Sequence, residues 1–90
     1  MTTLVIRHAV SDFAAWKRAF DADPLGRARN GVLHHRVYRD GADVVIHLEF
    51  ATRAEAEAFL SALRGLWRSA GGPLGLGEVA VQLLDEAFRD

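Results

Sequence analysis

Apolar and polar positions alternate with a period of two in four stretches of this chain, and recur with a period near 3.6 in two others. Leu4 to Val10 reads as a strand, with Leu4, Ile6, His8 and Val10 on one face and Val5, Arg7 and Ala9 on the other, because side chains alternate along extended backbone. Ser11-Asp12 offers a helix cap, and Phe13, Trp16 and Phe20 follow at spacings of three and four, the stripe of an amphipathic helix. Asp23 as a new cap and Pro24 as a first helical residue predict a short restarted turn through Arg29, stopped by Asn30-Gly31. Val32 to Arg39 is a second strand, with Leu33, His35 and Val37 expected on one face and Val32, His34, Arg36 and Tyr38 on the other.

Asp40-Gly41 is a hairpin signal. It leads into the most apolar strand, Val44 to Phe50. Here Val44, Ile46, Leu48 and Phe50 form a purely apolar face, while Val45, His47 and Glu49 form a mixed one. Demands on both faces place this strand inside its sheet. Thr52-Arg53-Ala54-Glu55 is a capping box that opens a helix carrying Ala56, Phe59, Leu60, Leu63 and Trp67. Ala70-Gly71-Gly72-Pro73 is expected to break that helix, and Glu78 to Leu84 to form the last strand before a polar tail.

The order strand, helix, strand, strand, helix, strand predicts an α+β, ferredoxin-like βαββαβ fold over residues 1–90 as one domain. Right-handed crossovers put both helices on one face of a four-stranded antiparallel sheet, with the first and third strands in the middle. The other sheet face then has no layer within the chain.

Composition sharpens this picture in one respect. Half of the 90 residues are hydrophobic, generous for a small domain with a modest core, and a second copy packed on the bare sheet face would use the surplus. Eleven basic and twelve acidic residues leave a net charge of −1, with no basic patch for nucleic acid. There is no cysteine, hence no disulfide, thiolate site or cysteine nucleophile. No apolar run approaches the ~20 residues of a membrane span, and Arg7 and His8 interrupt the only N-terminal apolar run, so a soluble cytoplasmic protein without a signal peptide is expected.

Polar residues on the helix-covered face are the candidates for chemistry. His8 and His35 share that face with aliphatic neighbours, and Phe13, Trp16, Phe20, Phe59 and Trp67 descend on it from the helices. An apolar, aromatic-walled space with imidazoles suits a flat aromatic or polyketide-like ligand, and histidine is the natural acid or base near neutral pH. The same residues also fit a bland reading, in which the histidines are core residues bonded to backbone and the aromatics are packing. Arg7, His34, Arg36, Tyr38, His47 and Glu49 lie on the opposite face and read as a dimer-facing polar network, with Glu49 in reach of Arg7 or Arg36. His34-His35 point to opposite faces and no carboxylate is spaced with them on a helix, so no metal site is expected. The glycines of Gly71–Gly77 precede a strand rather than a helix, the wrong context for a phosphate loop; they read as a connection edging the cavity.

The segments Arg7-His8-Ala9-Val10-Ser11-Asp12-Phe13-Ala14-Ala15-Trp16-Lys17, Phe20-Asp21, Arg36-Val37-Tyr38-Arg39-Asp40, Leu48-Glu49-Phe50 and Ala54-Glu55-Ala56-Glu57-Ala58-Phe59-Leu60 resemble the dimeric α+β barrel superfamily, which includes antibiotic-biosynthesis-monooxygenase-like domains and small polyketide cyclases. The resemblance implies a homodimer with a ligand cavity in each subunit, between sheet and helices. The Asn, His and Trp set of the haem-degrading members does not map onto this chain, and no cofactor is expected. Two functions stay open. One is a small enzyme of secondary metabolism, cyclase or cofactor-independent monooxygenase, using His8 or His35 as acid or base on a hydrophobic aromatic molecule. The other is a non-catalytic small-molecule-binding or interaction domain in which both histidines are structural.

Overall fold

Alternating burial along Thr2–Ala9 defines β1, whose Leu4, Ile6 and His8 are buried while Arg7 and Ala9 are exposed. The computed structural model describes residues 1–74 and 79–89, with side chains for 1–69 and 79–89. After β1 come α1 (Phe13–Ala22), a 3-10 turn (Ala28–Asn30), β2 (Val32–Asp40), β3 (Asp43–Phe50), α2 (Arg53–Leu74) and β4 (Val79–Asp85). The strands form one antiparallel sheet in the order β2-β3-β1-β4. The expected ferredoxin-like topology is present, with β1 and β3 central.

One face of the sheet is covered. Trp16 of α1 and Ala56, Phe59 and Leu60 of α2 share a single buried cluster with Leu4, Ile6 and the apolar face of β3. Each helix starts where a side chain can satisfy its free amides. Asp12 Oδ1 accepts from Ala15 N at 3.0 Å, and Thr52 Oγ1 accepts from Glu55 N at 3.2 Å while donating to Glu55 Oε1 at 3.1 Å.

Three expectations change. The first concerns Asp23, which does not open a new helix but closes α1. It adopts the left-handed conformation (φ 50°), and its N–H donates to Phe20 O. Its carboxylate turns forward to accept from Arg27 N at 2.9 Å, so the chain reverses through Pro24 to Gly26 before the 3-10 turn. Asp is one of the few side chains tolerated at positive φ, because it can bond to nearby backbone.

The second concerns α2, which does not break at Ala70–Pro73 but ends at Leu74. Glycine costs a helix only about 1 kcal/mol, which a long packed helix tolerates. The remainder of the glycine-rich connection, and the expectation that it edges the cavity, lies outside the described residues, as does Glu78.

The third is a parity error in β2. Val32 pairs with Phe50, but His34, not Leu33, pairs with Glu49. Leu33 is the extra residue of a β-bulge, and everything before it changes face. Val32 is therefore buried at 8% exposure and Leu33 stands 52% exposed, the reverse of strict alternation. Val32→Ala should cost about 2 kcal/mol, from two lost methyl groups and an unfilled gap, and Leu33→Ala less than about 0.5. Urea denaturation of the two variants measures the ranking, and a larger loss at Leu33 would remove the bulge.

Candidate functional site

The covered face does not fill completely. A cavity of about 150 Å³, partly open to solvent, lies between the sheet and the two helices. Its floor is Ile6, His8, Ile46 and Leu48; its walls include Trp16, Phe20, Phe59 and Trp67, and the reversing segment Asp23 to Arg27 closes one side. Four of the five expected aromatic residues line it. The fifth, Phe13, stacks on Trp16 instead, with ring centroids 5.7 Å apart.

Phe13, Trp16 and Phe20 form a column along α1, the Trp16 and Phe20 rings lying 5.1 Å apart at 23°. Each end carries a guanidinium: Arg39 is 4.3 Å from the Phe13 centroid and Arg27 is 3.9 Å from that of Phe20, both within cation–π range. Spacings of three and four on one helix bring the rings together, and the arginines arrive from β2 and from the turn after α1.

His8 meets the cavity at the Trp16 end, its ring 6.1 Å from the indole. It is 3% exposed. Nδ1 lies 3.2 Å from Ala9 O. A carbonyl can only accept, so Nδ1 carries the proton and Nε2 holds the lone pair. No hydrogen bond occupies Nε2 among the described residues, yet no sealed, unpartnered side-chain nitrogen is found among them; Nε2 therefore keeps access to the cavity or solvent. Burial lowers the His8 pKa from its ordinary 6.5, opposed by the Ala9 carbonyl and by the charge of Asp43. The imidazole is thus neutral near pH 7 and suited to accept a proton.

His35 takes the expected face, in register with Leu48, but not the expected burial. The edge position of β2 leaves it exposed, with its ring against the edge of Phe20 at 5.6 Å and outside the cavity lining. The two histidines are not brought together at one site.

On the uncovered face, the register collects Arg7, His34, Arg36, Tyr38, His47 and Glu49 as anticipated. The pairing differs. Arg7 donates to Asp40 Oδ2 at 2.6 Å and Asp43 Oδ2 at 3.0 Å, bracing the hairpin, and makes no ion pair with Glu49. Glu49 lies opposite Thr3 and His34, too far along β1 from Arg7. Tyr38 packs edge-on against His47 at 5.2 Å. Tyr38 and Leu84 are large exposed residues of this face. No cluster of three metal-ligating side chains occurs among the described residues, and no helix among them is long and apolar enough to cross a membrane.

Arg27 and Asp23 are the charged cavity residues, and pattern reading does not place them there. Both sit in a segment whose composition signals a turn, and only the reversal at Asp23 and Gly26 (φ 72°) carries the guanidinium back over Phe20.

No family model and no curated protein matches the sequence. Solved structures do. The cofactor-independent oxygenase SnoaB of Streptomyces nogalater superposes with a TM-score of 0.74 at 19% identity, over 98% of this chain and 94% of that one. The chain shares its fold. A candidate antibiotic biosynthesis monooxygenase of Deinococcus radiodurans gives 0.71 at 11% identity, over 100% and 96%. A dimeric ferredoxin-like protein from an uncultured marine organism gives 0.68 at 13%, over 99% and 97%. The chain thus has the ferredoxin-like fold that these proteins share.

Proposed function

We propose that this chain is a homodimeric, cofactor-independent oxygenase of secondary metabolism, acting on an electron-rich aromatic molecule of phenol or anthrone type. The observation that carries the reading is His8: a buried, neutral imidazole at the cavity wall, with Nδ1 bound to Ala9 O and Nε2 free to accept a proton. Nε2 removes a proton from the phenol or from the activated methylene. The resulting carbanion is itself the reductant of oxygen. For an anthrone, one O2 is consumed, the methylene becomes a carbonyl, and one water leaves per quinone formed. The nearly apolar lining offers few groups that would hold water beside the carbanion, and Asp43 favours the imidazolium that forms. Dimerisation through the uncovered sheet face accounts for exposed Tyr38 and Leu84 and agrees with the dimeric fold relative.

One observation favours a second reading. The cavity volume, about 150 Å³, matches an engineered cavity that holds benzene, so a three-ring substrate must extend through the open side. A non-catalytic site for a single aromatic ring fits that volume without adjustment.

The two readings separate in one assay. With 1,8-dihydroxyanthrone, chelator present and no flavin or haem added, the protein should accelerate O2 uptake with one quinone formed per O2. Sedimentation should give about twice the 9.9 kDa chain mass. Quenching of tryptophan fluorescence by a simple aromatic such as phenol, with no acceleration of O2 uptake, would replace the oxygenase by the binding domain.

A further inference from the structure

Of the residues described around the cavity, only Asp23 and Arg27 carry a permanent charge, and they stand together at its Phe20 end. Asp23 is heavily engaged. Its Oδ1 accepts from Arg27 N at 2.9 Å and lies 3.4 Å from Arg27 Nη1. Arg27 is not. Its side chain is 18% exposed, its ring neighbour is Phe20 at 3.9 Å, and its one side-chain hydrogen bond among the described residues is Nη1 to Phe20 O at 2.8 Å. A guanidinium has five N–H groups. One is fixed on the end of α1, which sets the plane of the fork, and Nε and Nη2 have no partner among the described residues.

We propose that Arg27 makes the cavity selective for aromatic ligands that bear an oxyanion, a carboxylate or a phenolate, at the end of the ring system remote from His8. The proposal rests on the reading of the cavity as a ligand site. The aromatic rings of α1 lie between the two polar groups: His8 touches Trp16, Trp16 stacks on Phe20, and Phe20 lies under Arg27. A flat ligand beside this column presents one end to the imidazole base and the other to the free N–H groups of the fork. A partly buried guanidinium with unused donors binds an oxyanion more strongly than a neutral oxygen, because charge-assisted hydrogen bonds are roughly twice as strong as neutral ones. Asp23 opposes any anion placed there, so it moderates the preference and supplies a second test.

The intact chain would be titrated with 2-naphthoate and with its neutral counterpart 2-naphthamide, following the fluorescence of Trp16 and Trp67. Naphthoate should bind about tenfold more tightly, roughly the 1.4 kcal/mol of one favourable charged contact. Arg27→Met should bring the two ligands to parity by weakening naphthoate alone, and Arg27→Lys should retain part of the preference. Asp23→Asn keeps both the left-handed backbone and the side-chain acceptor, and should tighten naphthoate several-fold with no change for the amide. Equal affinities in the unaltered chain, or a preference surviving Arg27→Met, would overturn the role of Arg27. Binding of neither ligand to the folded, unaltered chain would instead remove the ligand cavity, and this inference with it. Should Arg27→Met fail to fold, the ligand pair on the unaltered chain and on Asp23→Asn decides.

Discussion

Replacing His8 by Gln should lower anthrone turnover by about 10²–10⁴, the usual contribution of a positioned general base. Gln keeps a polar side chain near the Ala9 carbonyl but offers no basic nitrogen. The dimer and the binding of 2-naphthoate should survive. The pH profile of the unaltered chain carries the same argument. The base must be neutral to act, and burial depresses its pKa below 6.5. The rate constant kcat/KM should therefore fall on acidification, with the midpoint of its acid limb below 6.5. Stability follows the same sign. Between the folded and unfolded values the unfolded chain binds a proton that the folded chain does not, so acidification in that window favours unfolding. This loss should be absent from His8→Gln in urea titrations at pH 7 and pH 5. An unchanged rate in the variant, or an acid limb centred above 6.5, would exclude His8 as the base.

Phe50→Ala should be the most damaging truncation of the core. Phe50 has 0% exposure, closes the apolar face of β3, and lies 5.7 Å from Phe59 of α2. Removing a buried phenyl ring costs about 3–5 kcal/mol, against a total stability of about 5–13 kcal/mol for a domain of this size. At roughly 4–8 °C per kcal/mol, the melting temperature should fall by about 15 °C or more. Phe88→Ala is the matched control: the same atoms are lost at a position 78% exposed, and the change should stay within about 0.5 kcal/mol. Comparable losses at the two positions would contradict the placement of the core.

The alternation in β1 and β3 was legible because both strands are regular and their two faces differ in chemistry; His8 could be assigned to the helix side from Leu4 and Ile6 alone. The bulge at Leu33 was not legible, because neither Gly nor Pro marks it. Its cause is the pairing of Val32 with Phe50 across the sheet, a fact of β3 rather than of β2. The burial of His35 failed for a related reason. Face follows from parity, but exposure depends on how far a helix reaches over an edge strand. Arg27 was hidden because its role depends on a chain reversal, and Asp23-Pro24 is equally good chemistry for starting a turn of helix or for ending one.

The register of β1 has a consequence for how this molecule assembles. Its two partners are far away in sequence: Ile6 meets Ile46 on one side and Val81 on the other, and Thr2 meets Asp85. The β2–β3 hairpin can close locally within microseconds, but β1 waits for both distant strands, and such non-local pairing slows folding. Until β4 arrives, one hydrogen-bonding edge of an apolar strand stands open to any other chain. Shortening or destabilising β4 should therefore show first as aggregation during refolding, before any change in the chemistry at His8.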